Sequence, residues 1–292
     1  MSSRIRRAIK PAKQAIRRAA GIEKEQVFVV SFPKSGRTWL QVMLGEYITR
    51  FYGLDVKNVI ALKDYAKHLE DIPRIRFTHD GRPQWKAADE LETDKSRYRH
   101  QRVIMLVRNP RDILVSSFFE KTRRKPARRS DRPKFEGTIH DFVYNKTGGI
   151  DSIIAFYNIW SCSRDIPRDM KCVKYEKLCS EPRETLIGIL SFIGLPEINE
   201  QILDEMLEPD NIDRMRKIEA DTARGTHTLR RTDPQVDSAF LTRAFQPAAP
   251  TDPENFKVRK GKVGSYVDYL DAKEIEYLDN KISAELDPIF GY

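Results

Sequence analysis

The stretch that most narrows the fold of this chain is QVFVVSF, residues 26–32. This short, unbroken run of β-forming residues passes through Pro33–Arg37 directly into the amphipathic segment TWLQVMLGEYITRFYG. An apolar run of that length suits a strand covered on both faces, the situation of a parallel sheet layered between helices. The helical spacing that follows stops at Gly53. The pattern then recurs. RIRFTHD (74–80), RVIMLVR (102–108) and KCVKYE (171–176) read as further strands. After the third strand, Asn109 is a cap and Pro110 a first helical residue for PRDILVSSFFEKTRR. Helical stretches also fall around 138–147 and 149–165, Pro182 opens PRETLIGILSFIGL, and DAKEIEYLDNKISAEL lies near the C-terminal end. Strands alternating with helices predict an α/β fold, a single domain with a mostly parallel, doubly wound sheet flanked by helices.

With 292 residues, 40% of them hydrophobic, the chain has enough apolar material for one sizeable core. Residues 23–292 are expected to form that domain, and residues 1–22 a basic arm. The net charge, 52 minus 43 or +9, favours anionic partners without choosing among them. Within residues 2–20 stand Arg4, Arg6, Arg7, Lys10, Lys13, Arg17 and Arg18 and no acid, with Ile5, Ile9 and Ile16 among alanines at helical spacing. That pattern suits peripheral contact with an anionic membrane or a grip on nucleic acid. Pro11 and the alanine-rich apolar face weaken both and favour a solvated arm; nucleic acid is not the expected partner. No apolar run approaches the ~20 residues of a membrane span, and no signal-peptide core follows the N-terminus. Cys162, Cys172 and Cys179 form no CxxC. Reduced thiols and a cytoplasmic protein are the expectation. The basic stretch KTRRKPARRSDRPK (121–134) reads as a long mobile loop, either solvated or gating a cleft for an anionic acceptor.

In an open α/β sheet, ligands collect at the carboxyl ends of the strands. Residues 32–39 are such an end, running into a helix whose first backbone N–H groups make an anion site. Gly36 lets backbone approach a phosphate, Lys34 adds a charge, and Ser35 and Thr38 add hydroxyls. The loop is not a Walker A motif, because its lysine precedes the glycine and the loop is short. Arg108 ends the third strand, where a P-loop NTPase might carry a magnesium-binding aspartate. An arginine there calls for an anion, so these residues point to a nucleotide with a separate second phosphate and no essential metal.

Three motifs in order, FPKSGRTW, VRNPRDILVSSFF and RKGKVG (259–264), resemble those of sulfotransferases that use 3′-phosphoadenosine 5′-phosphosulfate (PAPS). The resemblance covers roughly residues 24–290 and is closest to bacterial members of the sulfotransferase domain family. It implies the P-loop-kinase-like sulfotransferase fold, PAPS as co-substrate and no metal. It also implies that residues Lys34, Ser35, Gly36, Arg37 and Thr38 hold the 5′-phosphate, with Lys34 stabilising the leaving oxygen and Trp39 stacking on adenine. Arg108 and Ser116, joined by Arg259, Lys260 and Gly261, would take the 3′-phosphate, and Tyr175 would touch the nucleotide. His79 matches the family's catalytic histidine and would act as general base, with Asp80 as the fallback base or the group that orients it.

The chain departs from the family pattern at Phe77, where a lysine is usual, and at Arg37, where a threonine is usual. Phe77 shares a strand face with His79 and would line the acceptor pocket; Arg37 is a candidate for the missing cation. Ser265 and Tyr266 stand where Asp-Trp is usual, and the family's dimer segment has no match. The expected acceptor is a small molecule, lipid or glycan. The rival readings are a nucleotide or small-molecule kinase using ATP and magnesium, and a basic membrane- or nucleic-acid-binding module.

Overall fold

A computed structural model describes residues 26–54, 72–123, 135–195, 197–208 and 263–292. In chain order its regular elements are β1 (Gln26–Val30), α1 (Arg37–Phe51), β2 (Arg74–Thr78), β3 (Arg102–Val107), α2 (Pro110–Arg123), α3 (Ile139–Val143) and α4 (Ile150–Cys162). There follow β4 (Asp169–Lys174), α5 (Tyr175–Ser180), α6 (Pro182–Ile193), α7 (Glu200–Met206) and α8 (Ala272–Glu285). The four strands form one parallel sheet in the order β2–β1–β3–β4. The two unbroken apolar runs, β1 and β3, are the central strands and are almost wholly buried. The flanking strands β2 and β4 mix buried with exposed positions. A central strand has both faces covered, so it tolerates no alternation of polar residues.

Alternate side chains feed two cores. Val27, Val29, Ile75, Ile104 and Leu106 pack under α1, α6 and α7. Val30, Phe32, Val103, Met105 and Val107 pack on the other face, under α2, α4 and α8. Val30 is paired with Thr78 on one side and Met105 on the other. The carboxyl ends of three strands therefore finish side by side, and the loops leaving them share one edge.

The α/β expectation holds, with shifts at the ends of elements. β1 and β2 stop at Val30 and Thr78, two residues short of the runs that suggested them, because the chain turns left-handed just beyond. Lys34 has φ 75°, and Asp80, Gly81 and Arg82 have φ 48°, 96° and 64°. Tyr175 was expected to close the fourth strand; it opens α5 instead. The helix expected over PRDILVSSFFEKTRR runs to Arg123 and so takes in the first residues of the basic stretch 121–134. Lys121 is buried there because its ammonium donates to Thr147 O at 2.7 Å and lies 5.1 Å from both the Trp85 and Phe142 ring centres. Burial lowers its pKa to about 8. Residues 124–134 and the arm 1–22 lie outside the described residues. Among the described residues no helix is long and apolar enough to cross a membrane.

Candidate active site

The chain leaves β1 through Ser31, Phe32 and Pro33 and then takes the left-handed conformation twice, at Lys34 (φ 75°) and at Gly36 (φ 86°). A lysine in that region is uncommon and strained, and such strain persists where surrounding structure enforces it. Gly36 caps α1 without any side-chain hydrogen bond, and the first turn of α1 holds no acid. The N–H groups at the start of α1 are thus left for another acceptor. Gly36 is also held glycine by space, since a Cβ there would collide with the Tyr175 ring. Burial pushes the Tyr175 phenol well above its ordinary pKa, although Arg108 beside it pulls the other way.

The end of β3 meets this loop. Arg108 donates from Nη1 to Lys34 O at 3.2 Å, pairs through Nη2 with Asp112 at 3.3 Å, and lies 4.6 Å from the Tyr175 ring centre. Its main chain is clamped as firmly. The Arg108 N–H donates to the Tyr157 hydroxyl at 2.8 Å, and that hydroxyl donates to Arg108 O at 2.9 Å. Glu176 accepts from Asn109 N at 2.7 Å and from the Tyr292 hydroxyl at 2.8 Å. Asn109 caps α2 as expected, accepting from Arg111 N at 3.0 Å. Ser116 is buried on α2, about two helical turns beyond its start.

Asp112 is the residue that motif reading missed. Its buried carboxylate accepts from Gly264 N at 2.9 Å and Tyr266 N at 3.2 Å, with Ser265 Oγ at 3.4 Å, while it also pairs with Arg108. The signal available in sequence was an acid four residues after an arginine and in the first turn of a helix, where it suits the helix dipole. Arg259, Lys260 and Gly261 lie outside the described residues; the segment just after them is tied to α2 by Asp112.

His79 follows β2 directly. Its Nδ1 lies 2.9 Å from Ser31 O and 3.4 Å from Ser31 Oγ. A carbonyl can only accept, so in the neutral ring Nδ1 carries the proton and Nε2 the lone pair. Asp80 does not serve as a fallback base. Its buried carboxylate is bound by Lys95 at 2.8 Å, by Arg97, and by the Tyr98 hydroxyl at 2.9 Å. Two cations and a hydroxyl surround it, and the Nδ1 face of His79 is oriented by Ser31. Phe77 and Trp39 are half-buried and pack against the α1 side of the sheet. Arg37, the first residue of α1, is half-buried, and loss of solvent lowers its pKa to about 10, partly opposed by Glu120.

Ser35 Oγ, Trp39 Nε1, Arg108 Nε and Ser117 Oγ are all buried without a hydrogen-bond partner. Ser35 does lie near the Tyr157 hydroxyl, whose bonds already go to Arg108. Eleven such atoms occur among the described residues, seven of them away from this loop, and each calls for a partner. Four of them on the loop, the first turn of α1, the end of β3 and α2 fit a polyanionic ligand with hydrogen-bonding capacity at the carboxyl edge.

The sulfotransferase domain family model matches residues 24–289. A flavonol 3-sulfotransferase of Flaveria bidentis is 22% identical over 89% of this chain and 81% of its own length. An amine sulfotransferase of Oryctolagus cuniculus is 22% identical over 91% and 82%. Among solved structures, mouse sulfotransferase SULT7A1 complexed with PAP covers 89% of this chain and 84% of that one, with a TM-score of 0.55 and 19% identity. Retinol dehydratase in complex with androsterone and inactive cofactor PAP gives 0.54 and 16%, over 89% and 80%. At these identities the structural likeness speaks to the fold. The two relatives are plant and animal proteins and do not bear on the bacterial likeness of the motifs.

Proposed function

Because the chain belongs to the sulfotransferase domain family, we propose that it moves a sulfuryl group from PAPS to a hydroxyl or amine of a small-molecule, lipid or glycan acceptor. PAPS supplies the activated sulfuryl group, linked through a bridging oxygen to its 5′-phosphate. The observation that carries the reading is the bond between Lys34 O and Arg108, which joins a strained helix-capping loop to a second cation. Two anion subsites then stand at a fixed separation. The loop 34–38 and the start of α1 receive the 5′-phosphate, with Lys34 against the bridging oxygen, where negative charge develops as the bond to sulfur breaks. Arg108 and Ser116 receive the 3′-phosphate, and Arg259, Lys260 and Gly261 join them by resemblance. Trp39 offers a face for adenine, and Tyr175 backs both the loop and Arg108. Lys34, Arg37 and Arg108 provide the charge, and the reading calls for no metal.

His79 acts as the base in this reading. Nε2 takes the proton of the acceptor as the acceptor oxygen or nitrogen bonds to sulfur, and the electron pair of the broken bond stays with the 5′-phosphate. The Nδ1 bond to Ser31 O supports this role by fixing the tautomer that a base needs. Phe77 stands as an apolar neighbour for the acceptor. Relatives named for flavonols and amines favour a small organic acceptor.

A calorimetric titration without metal tests the reading. PAP, which is adenosine 3′,5′-bisphosphate, should bind more tightly than AMP, and Arg108→Ala should weaken PAP at least tenfold and by more than it weakens AMP. Binding of ATP with magnesium in preference to PAP would restore the kinase alternative.

A further inference from the structure

β2 stops at Thr78, and His79 is the first residue beyond it. The last rungs before it are the Val30–Thr78 pairing and the Ser31 N–H, which donates to Thr78 O at 3.3 Å. The His79 ring reaches back to Ser31 O, but the next three residues, Asp80, Gly81 and Arg82, are all left-handed. Aspartate tolerates that region and arginine enters it at a cost, so this turn calls for a hold from outside. The hold is on Asp80. Its N–H donates to Thr78 Oγ1 at 3.0 Å. Its fully buried carboxylate meets the ammonium of Lys95 at 2.8 Å, on a side chain only 1% exposed. Lys95 also donates to Glu92 O and lies 5.3 Å from the Trp160 ring centre. The Tyr98 hydroxyl, 2.9 Å from Asp80, belongs to a ring set between Phe28 of β1 and Trp160 of α4, at centre distances of 5.2 and 5.1 Å. A lysine–aspartate pair taken this far out of water adds little net stability, because desolvation offsets the attraction.

We propose that the buried Lys95–Asp80 pair is the positioning element for His79: it pins the turn after the histidine and so keeps Nδ1 against Ser31 O. The inference rests on the proposed function for what His79 does with Nε2, and adds what holds it in place. Asp80 and Lys95 act through the main chain rather than on the reacting atoms. Ser31 fixes the ring from the β1 side, and Asp80 fixes the backbone one residue further on. With the turn released, the Cα of His79 can shift, and a displacement of ~1 Å costs a catalytic group about a hundredfold in rate. Tyr98 and Trp160 lie in the core under α4, the helix whose Tyr157 clamps Arg108. Base and donor site are thereby set against one helix.

The tautomer of His79, read by nitrogen-15 NMR without any acceptor, tests this; His79→Asn assigns its signals among the five histidines. In the wild-type chain the neutral ring should favour the proton on Nδ1 by at least about tenfold. Asp80→Asn combined with Lys95→Met keeps a residue that tolerates the left-handed turn and leaves no buried lysine without its acid. Its urea midpoint should stay near that of the wild type, while the preference for Nδ1 falls below about threefold. An unchanged preference in the folded double variant would make the pair a core filler and overturn the proposal, as would a wild-type ring without the preference. If the double variant gives no cooperative urea transition, Tyr98→Phe takes its place, keeping the ring and removing one hydroxyl from Asp80. There a fall of about twofold or more supports the proposal and no fall overturns it. Calorimetry with PAP on the wild-type chain separates the two readings. No PAP binding with the tautomer shift present removes the donor reading and keeps the hold on His79; PAP binding without the shift removes this inference alone.

Discussion

One phenol hydroxyl on α4 holds both the N–H and the C=O of Arg108. Tyr157 is fully buried, and its burial pushes its phenol pKa far up, so the hydroxyl stays neutral and can donate and accept at once. Replacing it by phenylalanine keeps the ring but leaves two backbone groups of Arg108 without their partner. A buried polar group stranded in this way costs ~1–3 kcal/mol. Tyr157→Phe should lower the urea midpoint accordingly and weaken PAP binding several-fold, both measurable on one preparation. The positions of Lys34, Gly36 and Arg108 could be read from the sequence, because a turn with glycine and lysine after a buried strand has a local pattern. Tyr157 could not. Its periodicity identifies a helix face toward the core, and nothing local distinguishes a tyrosine that fills space from one that fixes a loop. The tautomer of His79 is hidden for the same reason, since Ser31 is 48 positions away.

At the scale of elements, α2 does more than follow β3. Its first turn presents Asp112 to a segment 152 residues later in the chain, and Arg111 reaches Asp279 on α8 through Nε at 2.5 Å. Asp112→Ala should free the N–H groups of Gly264 and Tyr266. Hydrogen exchange at those two amides should quicken by more than tenfold, while amides in β1 and β3 stay protected. Equal quickening throughout would mean that the whole fold, rather than this junction, depends on Asp112. The central strands were legible because a strand covered on both faces leaves a continuous apolar run. β4 was less so: its exposed positions include Asp169 and Cys172, and it begins two residues earlier than the run KCVKYE suggested. α5 and α7, of six and seven residues, are too short to give a periodic signal. They form because their neighbours bury Leu178, Leu203 and Met206.

For the whole molecule, the +9 net charge gathers in three places: the carboxyl edge, the arm at residues 2–20 and the stretch 121–134. Lys34, Arg37 and Arg108 belong to the carboxyl edge, where the proposed function puts an anionic nucleotide. The seven cations of residues 2–20 precede β1 and lie outside the described residues. Any sedimentation with vesicles containing phosphatidylserine should be lost on deleting residues 2–20, with PAP affinity intact. Retained vesicle binding would assign membrane contact to the domain surface, and lost PAP binding would make the arm part of the nucleotide site.

The Lys34–Arg108 bond has a consequence for what the site can measure. One end of it is a backbone carbonyl in a strained turn, and the other is a guanidinium pressed between Tyr175 and Asp112. Moving either end breaks this bond, and moving the guanidinium also gives up its contacts with Tyr175 and Asp112. On the proposed donor reading the site is a fixed calliper: it would read a ligand by the span between its two charged ends, and a dianion of the wrong length would find one jaw empty.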